Sequence, residues 1–130
     1  MTNNIQYLED GKALKGYDVI SVFNGSGVAG KEHISSVYLG GIYLFESQKN
    51  KEIFEADPQK YAPKYGGHCS TAMSEGALVE ANPLSSLLQD GELHVFYKDD
   101  NEDTQDEWNE KPIALKKLAE LEWVGLLQKK

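Results

Sequence analysis

Residues 38–75 constrain the fold most, because a hairpin, a capped helix and a proline stop follow one another there. Two β-prone runs, 37–39 and 42–45, are separated by Gly40-Gly41. Glycine reaches the positive φ angles that tight turns need, so the pattern predicts an antiparallel hairpin. Ser47 is placed to cap a short helix over residues 48–56. Asp57-Pro58 should end this helix, because the residue before a proline disfavours helical geometry.

The same stretch carries a motif of spaced aromatic and small residues over positions 38–61, Y-x-G-x-x-Y-x-F-x-S-x-x-N-x-x-x-F-x-x-x-P-x-x-Y. Three shorter segments accompany it: Gly16-Tyr17-Asp18, the Y-G-G-H-C run at 65–69, and Asp90-Gly91-Glu92-Leu93. Together they resemble the YHS-domain family, whose members are small modules related to the TRASH-type metal-binding fold. The resemblance spans roughly residues 16–108.

This resemblance implies a metal-associated module, but the chain departs from the metal-binding pattern. Metal-binding relatives carry cysteines in patterns such as D-P-V-C and F-C-S-x-x-C. The corresponding positions here are Ser21, Glu46 and Asn50. A structural zinc site needs four nitrogen or sulfur ligands, and this chain has one cysteine, Cys69. The Y-G-G-x-C segment therefore leaves Cys69 as the candidate ligand.

The residues around Cys69 suggest two alternatives. After the glycine turn, the sulfur would lie at the start of a predicted helix over residues 68–75, where backbone amides favour a thiolate. That thiolate would bind a soft ion such as Cu(I), with zinc as the other candidate, assisted by His68 or by Met73 four residues later. In the other interpretation, Cys69 and Met73 are core residues, as buried cysteines and methionines usually are.

Composition restricts the classes of partner. The 130 residues carry 21 acidic and 13 basic side chains, a formal charge of −8 with a pI near 4.8. This charge disfavours phosphate backbones, so we expect no nucleic-acid binding. No segment approaches the roughly 20 apolar residues of a membrane span. One cysteine and a polar N-terminal segment favour a cytoplasmic protein. Glycine loops for phosphate and a G-x-S-x-G elbow are absent from the sequence, which predicts a non-enzyme.

The remaining chain predicts further elements. Residues 19–23 are expected to form a short strand, or the extended arm that in the YHS family precedes the hairpin. Residues 78–79 are expected to form another strand. Asp90-Gly91 predicts a second hairpin with strands at 87–88 and 93–97, on which His94 faces outward. The acidic run over residues 99–110 is expected to be solvated and anchored by Trp108.

The last predicted element is a helix that begins at Pro112 and continues to about residue 122. Its leucines, Leu115, Leu118 and Leu121, are expected to be buried. The apolar residues 123–127 should fold back onto the core or contact another chain, such as a second copy in a homodimer.

The predicted fold class is α+β, with a small antiparallel sheet of two hairpins, short helices packed on it and a C-terminal helix. Residues 1–15 form a polar lead-in with weak apolar rhythm at Ile5, Leu8 and Leu14, and residues 16–130 form one domain. Two functions follow from these predictions. One is a non-enzymatic module binding a soft metal through Cys69. The other is a metal-free structural or protein-interaction module with Cys69 in the core and the apolar tail as contact surface.

Overall fold

The computed structural model describes residues 6–128, in which each of three strand pairs is followed by one or more helices. The strands are β1 (Leu8–Glu9), β2 (Lys12–Ala13), β3 (Lys31–Tyr38), β4 (Gly41–Phe45), β5 (Asn82–Gln89) and β6 (Glu92–Phe96). The helices are α1 (Val19–Phe23), α2 (Gln48–Ala56), α3 (Pro58–Tyr61), α4 (Ser70–Met73), α5 (Gln105–Glu110) and α6 (Pro112–Gln128). This content confirms the predicted α+β class.

The first sheet has the strand order β1-β2-β4-β3 and contains the predicted hairpin of β3 and β4. Its turn lies one residue earlier than expected, at Leu39 (φ 51°) and Gly40 (φ 83°). Gly41 is instead the first residue of β4, and a Cβ there would lie 2.9 Å from Leu8 Cδ2 of β1. A side chain at position 41 would therefore need the side chains of Leu8 and Gln6 to shift. Ile5 of the lead-in lies outside the described residues.

The second sheet is the hairpin of β5 and β6 around Asp90-Gly91, as predicted. The two hairpins lie in separate sheets, whereas one sheet was expected. Residues 78–79, expected as a strand, are not in one. The prediction that His94 faces outward is wrong, because His94 is fully buried. Its neighbours Leu93, Val95 and Phe96 are also buried, so other elements cover both faces of β6.

The prediction of a strand at residues 19–23 is wrong, because this segment forms α1. Asp18 caps the helix: its Oδ1 accepts hydrogen bonds from the backbone amides of Ile20 (2.8 Å) and Ser21 (3.2 Å). The β-branched residues favour a strand locally. Two amides satisfied by one carboxylate, together with complete burial of Val19, favour the helix instead.

The short helices largely follow their sequence signals. Ser47 caps α2, since its Oγ accepts a hydrogen bond from the amide of Asn50 at 3.1 Å. Phe54 of α2 is fully buried. α4 spans four residues, fewer than the predicted 68–75, because His68 is extended, Cys69 is the N-cap and the chain turns at residues 74–76.

The C-terminal helix α6 begins at Pro112 as predicted and continues to Gln128. Ala119 is fully buried, and Leu115, Trp123 and Leu126 pack against the core. The expected burial of Leu118 and Leu121 is wrong, because they are 49 % and 69 % exposed. None of the helices described within residues 6–128 has the length and apolar character needed to span a bilayer.

Candidate functional site

The candidate ligand Cys69 is fully buried and forms the N-cap of α4. Its Sγ accepts a hydrogen bond from the amide of Ala72 at 3.5 Å and lies 3.2 Å from Thr104 Oγ1. Thr104 Oγ1 donates its own hydrogen to the carbonyl of Tyr97 at 2.9 Å. The contact between sulfur and Thr104 therefore suits a thiol that donates to the hydroxyl oxygen.

His68 and Met73 lie next to Cys69 in sequence but have other partners. His68 Nδ1 is 2.9 Å from the carbonyl of Tyr65, and its ring lies near the rings of Tyr7 and Trp123. Burial lowers the pKa of His68, which keeps the ring neutral, and the hydrogen bond to Tyr65 opposes this shift. Met73 is fully buried in the core.

A soft-metal site needs several free donors directed at one point. Cys69 Sγ and His68 Nδ1 are both engaged in hydrogen bonds inside the protein. Within residues 6–128, no group of three or more His, Cys, Asp or Glu side chains is arranged to hold a metal ion. The donors as they are placed do not fit a soft-metal site, and the metal-ligand role of Cys69, His68 and Met73 stays a prediction.

Ser21, Glu46 and Asn50, the positions at which the resemblance led us to look for cysteines, lie around Asp18. Its Oδ2 accepts hydrogen bonds from the amide of Glu46 at 2.8 Å and from Asn50 Nδ2 at 2.9 Å. Ser21 Oγ lies 2.6 Å from the carbonyl of Asp18 and accepts from the amide of Val28 at 2.8 Å. We call these four residues, Asp18, Ser21, Glu46 and Asn50, the Asp18 cluster.

The Asp18 cluster joins the start of α1 to the start of α2 by hydrogen bonds. With its two bonds to α1, the Asp18 carboxylate accepts four, which is close to the capacity of an ionised carboxylate. Sequence reasoning noted the missing cysteines but missed the role of Asp18. The available signal was an acidic residue directly before an apolar run, which is typical of an N-cap.

The family comparison falls on this part of the chain. The family model described as the YHS domain matches residues 19–65. This segment of the chain is similar to the YHS domain. The matched segment contains Ser21, Glu46 and Asn50 of the Asp18 cluster and ends before Cys69. The comparisons with curated proteins and with solved structures found no match.

Ser70, next to Cys69, and His94 form a buried polar pair. His94 Nδ1 is 2.8 Å from Ser70 Oγ, the distance expected of a base and a nucleophile. Both residues are fully buried, so a substrate would not reach them. His94 Nε2 has no hydrogen-bond partner within residues 6–128. Burial, with Lys116 and Lys64 nearby, lowers the pKa of His94 to about 4.

An open cleft of about 840 Å³ lies beside the second half of α6, with Tyr38, Tyr65 and Trp123 among its lining residues. Four charged residues line it: Asp57, Lys60, Lys64 and Glu92. Lys64 and Glu92 are paired with each other at 3.5 Å. Gln6, also in its wall, bonds the backbone of Tyr38 and Leu39 and the hydroxyl of Tyr43. Lys64, Glu92 and Gln6 are thus satisfied within the protein and offer little to orient a ligand.

The side of α6 that points away from the core is a more distinctive surface. Four large apolar side chains are exposed there: Ile113 (80 %), Leu118 (49 %), Leu121 (69 %) and Val124 (49 %). At about 100° per residue, they lie within one broad sector of the helix, together with Lys117, Gln128 and the small residues Ala114 and Gly125. We call this surface the outer α6 face.

Proposed function

We propose that this protein is a metal-free, non-catalytic interaction module that binds another protein through the outer α6 face. The exposure of Ile113, Leu118, Leu121 and Val124 carries this proposal. Helix surfaces in monomeric proteins usually turn charged residues to water, whereas this face carries one, Lys117. A contiguous apolar surface of this kind marks an interaction site.

The metal-free part of the proposal is supported at two places. The Asp18 cluster connects α1 and α2 by hydrogen bonds at the positions where the resemblance led us to look for cysteines. Cys69 packs in the core and bonds Thr104 and Ala72. Both arrangements stabilise the domain without an ion, so they favour the interaction module. A single buried thiol also suits a reducing compartment, and a cytoplasmic location belongs to this proposal.

Copper binding through Cys69 is the second candidate, because the YHS family is associated with copper in general. It would require the Cys69 contacts with Thr104 and Ala72 to open, and a second donor such as His68 to leave its bond to Tyr65. This structural cost is the reason for placing it second.

Photo-crosslinking in the native cells tests the contact. A benzoylphenylalanine at position 121 should yield a discrete cross-linked species, because Leu121 is central to the outer α6 face. The matched control places the same group at position 37, since Val37 of β3 is also apolar and 70 % exposed. Leu118→Glu should remove the species formed from position 121. No cross-link at 121, or equal yields at 121 and 37, would refute the proposed function.

A further inference from the structure

We infer that the partner at the outer α6 face is an amphipathic helix of another protein, with an apolar stripe and basic flanking residues. The inference rests on the proposed function and concerns the chemistry of the partner. It follows from three features of the face: its apolar centre, its acidic surroundings and its small residues.

Exposed acidic side chains lie on α5 and at one edge of the outer α6 face. Asp106, Glu107 and Glu110 are exposed on α5, which leads into α6 and packs against it. Glu122 is exposed at the edge of the outer α6 face and lies over Gly76, next to the exposed Glu75. Within residues 6–128, none of these five carboxylates forms an ion pair; the ion pairs of that segment involve Lys12, Lys15, Lys64 and Lys116 with other acidic residues.

Five unpaired carboxylates beside Lys111 and Lys117 leave an excess of negative charge around an apolar surface. A binding segment with basic residues on both sides of its apolar stripe complements this distribution. The overall charge of −8 acts in the same direction at longer range.

The shape of the face suits a helix. A Cβ built on Gly125 meets no atom within 4 Å, so the backbone is open to a close approach there. Ala114, about three turns earlier on the same side, is small too, and it is exposed. Between them, Leu118 and Leu121 form ridges that can interdigitate with apolar side chains spaced three and four residues apart on a second helix.

A second copy of this chain fits the face less well. A two-fold contact brings the same surface from both subunits together. The carboxylates around the face, Glu110 and Glu122 among them, would then face an equally acidic surface, and each subunit would bring a charge of −8. The charge distribution therefore favours a basic partner over self-association.

Three synthetic helical peptides test the inference by fluorescence anisotropy with the purified protein. The first has a leucine stripe with lysine flanks, the second has the same stripe with glutamate flanks, and the third keeps the lysines but replaces the leucines by glutamine. We expect the first peptide to bind at least tenfold more tightly than either of the others. Leu121→Glu should weaken that binding about tenfold or more, since it places a charge in the apolar centre.

Reversing the charge of two acidic residues distinguishes attraction of the peptide to the outer α6 face from attraction to the overall negative charge of the protein. Glu110→Lys combined with Glu122→Lys should weaken the lysine-flanked peptide and strengthen the glutamate-flanked one. The matched control Glu46→Lys, at an exposed position between β4 and α2, should alter both much less. Equal binding of the three peptides, or equal effects of the reversals at 46 and at 110 with 122, would overturn the inference.

The solution mass completes the test. We expect a monomer in sedimentation at micromolar concentration. A dimer that Leu121→Glu dissociates would overturn the inference and leave the proposed contact function standing. Failure of photo-crosslinking at position 121 would contradict both the inference and the proposed function.

Discussion

Asp18 shows how one side chain can connect parts of the chain that are distant in sequence. Its buried carboxylate accepts hydrogen bonds from the start of α1 and from the start of α2, about thirty residues later. A buried carboxylate is tolerated when its oxygens are satisfied in this way. Removing it would leave the amides of Ile20 and Glu46 without their acceptor, which is the costly outcome for buried donors.

We predict that Asp18→Ala lowers the free energy of unfolding by about 3 kcal/mol or more, because several charge-assisted hydrogen bonds are lost together. Asp57→Ala is the matched control, since Asp57 precedes α3 at an N-cap position without a side-chain hydrogen bond. It should cost well under about 1 kcal/mol. Urea denaturation measures both. Similar losses for the two variants would contradict the assigned role of Asp18.

His94 is the buried residue whose protonation should control stability at mildly acidic pH. Burial lowers its pKa from 6.5 to about 4 in the folded protein, while the unfolded chain keeps the ordinary value. The unfolded state therefore binds the proton first as pH falls. Stability from the neutral ring is complete above pH 6.5 and declines between 6.5 and 4.

The pKa difference corresponds to a stability loss of up to about 3 kcal/mol over that interval. His94→Asn removes the titration while keeping a polar atom near the position of Nδ1, which contacts Ser70. We expect the variant to be less stable at pH 7 and to lose less stability between pH 7 and pH 4 than the parent protein. Parallel stability curves from denaturation at several pH values would show that His94 does not titrate as proposed.

At the scale of elements, α6 has two faces with different roles. Leu115, Ala119, Trp123 and Leu126 attach one side to the core. Lys64 pairs with Glu120 of α6 at 3.0 Å, and Lys116 of α6 pairs with Glu92 of β6 at 2.7 Å. The outer α6 face contributes nothing to this attachment, so its apolar residues are available to a partner.

We predict that Leu115→Ala lowers the free energy of unfolding by about 1–3 kcal/mol, because it removes packing against the core. Leu121→Ala should change it by less than about 0.5 kcal/mol, since Leu121 is 69 % exposed. Both variants keep high helix propensity at the changed position, so the comparison isolates burial. Thermal and urea unfolding give the values. An equal loss in the two variants would mean that the outer face is covered within the monomer.

Local signals predicted those elements that have strong caps and turns. Ser47, Pro112 and Asp90-Gly91 marked α2, α6 and the second hairpin correctly. The sequence signal failed at α1, where a cap outweighed β-branched propensity, and at His94, where tertiary contacts cover both faces of a strand. The cap at Asp18 is a local signal that was overlooked, whereas the burial of His94 depends on residues far away along the chain.

The candidate site could likewise be predicted only in part from local sequence signals. The loss of cysteines at positions 21, 46 and 50 was visible in the sequence, and so was the apolar character of the tail. The convergence of those positions on Asp18 and the outward direction of Leu118 and Leu121 required the fold. Apolar content alone does not say which side of a helix meets the core, because α6 is apolar on most sides.

At the scale of the whole molecule, we propose a domain that is stabilised without an ion and binds a partner through its C-terminal helix. Competition for Cu(I) against a colorimetric chelator tests this claim most directly. We predict that the chelator keeps its copper in the presence of the folded protein, because the Cys69 thiol is buried and hydrogen-bonded. Transfer of one ion per chain, abolished by Cys69→Ser, would contradict it.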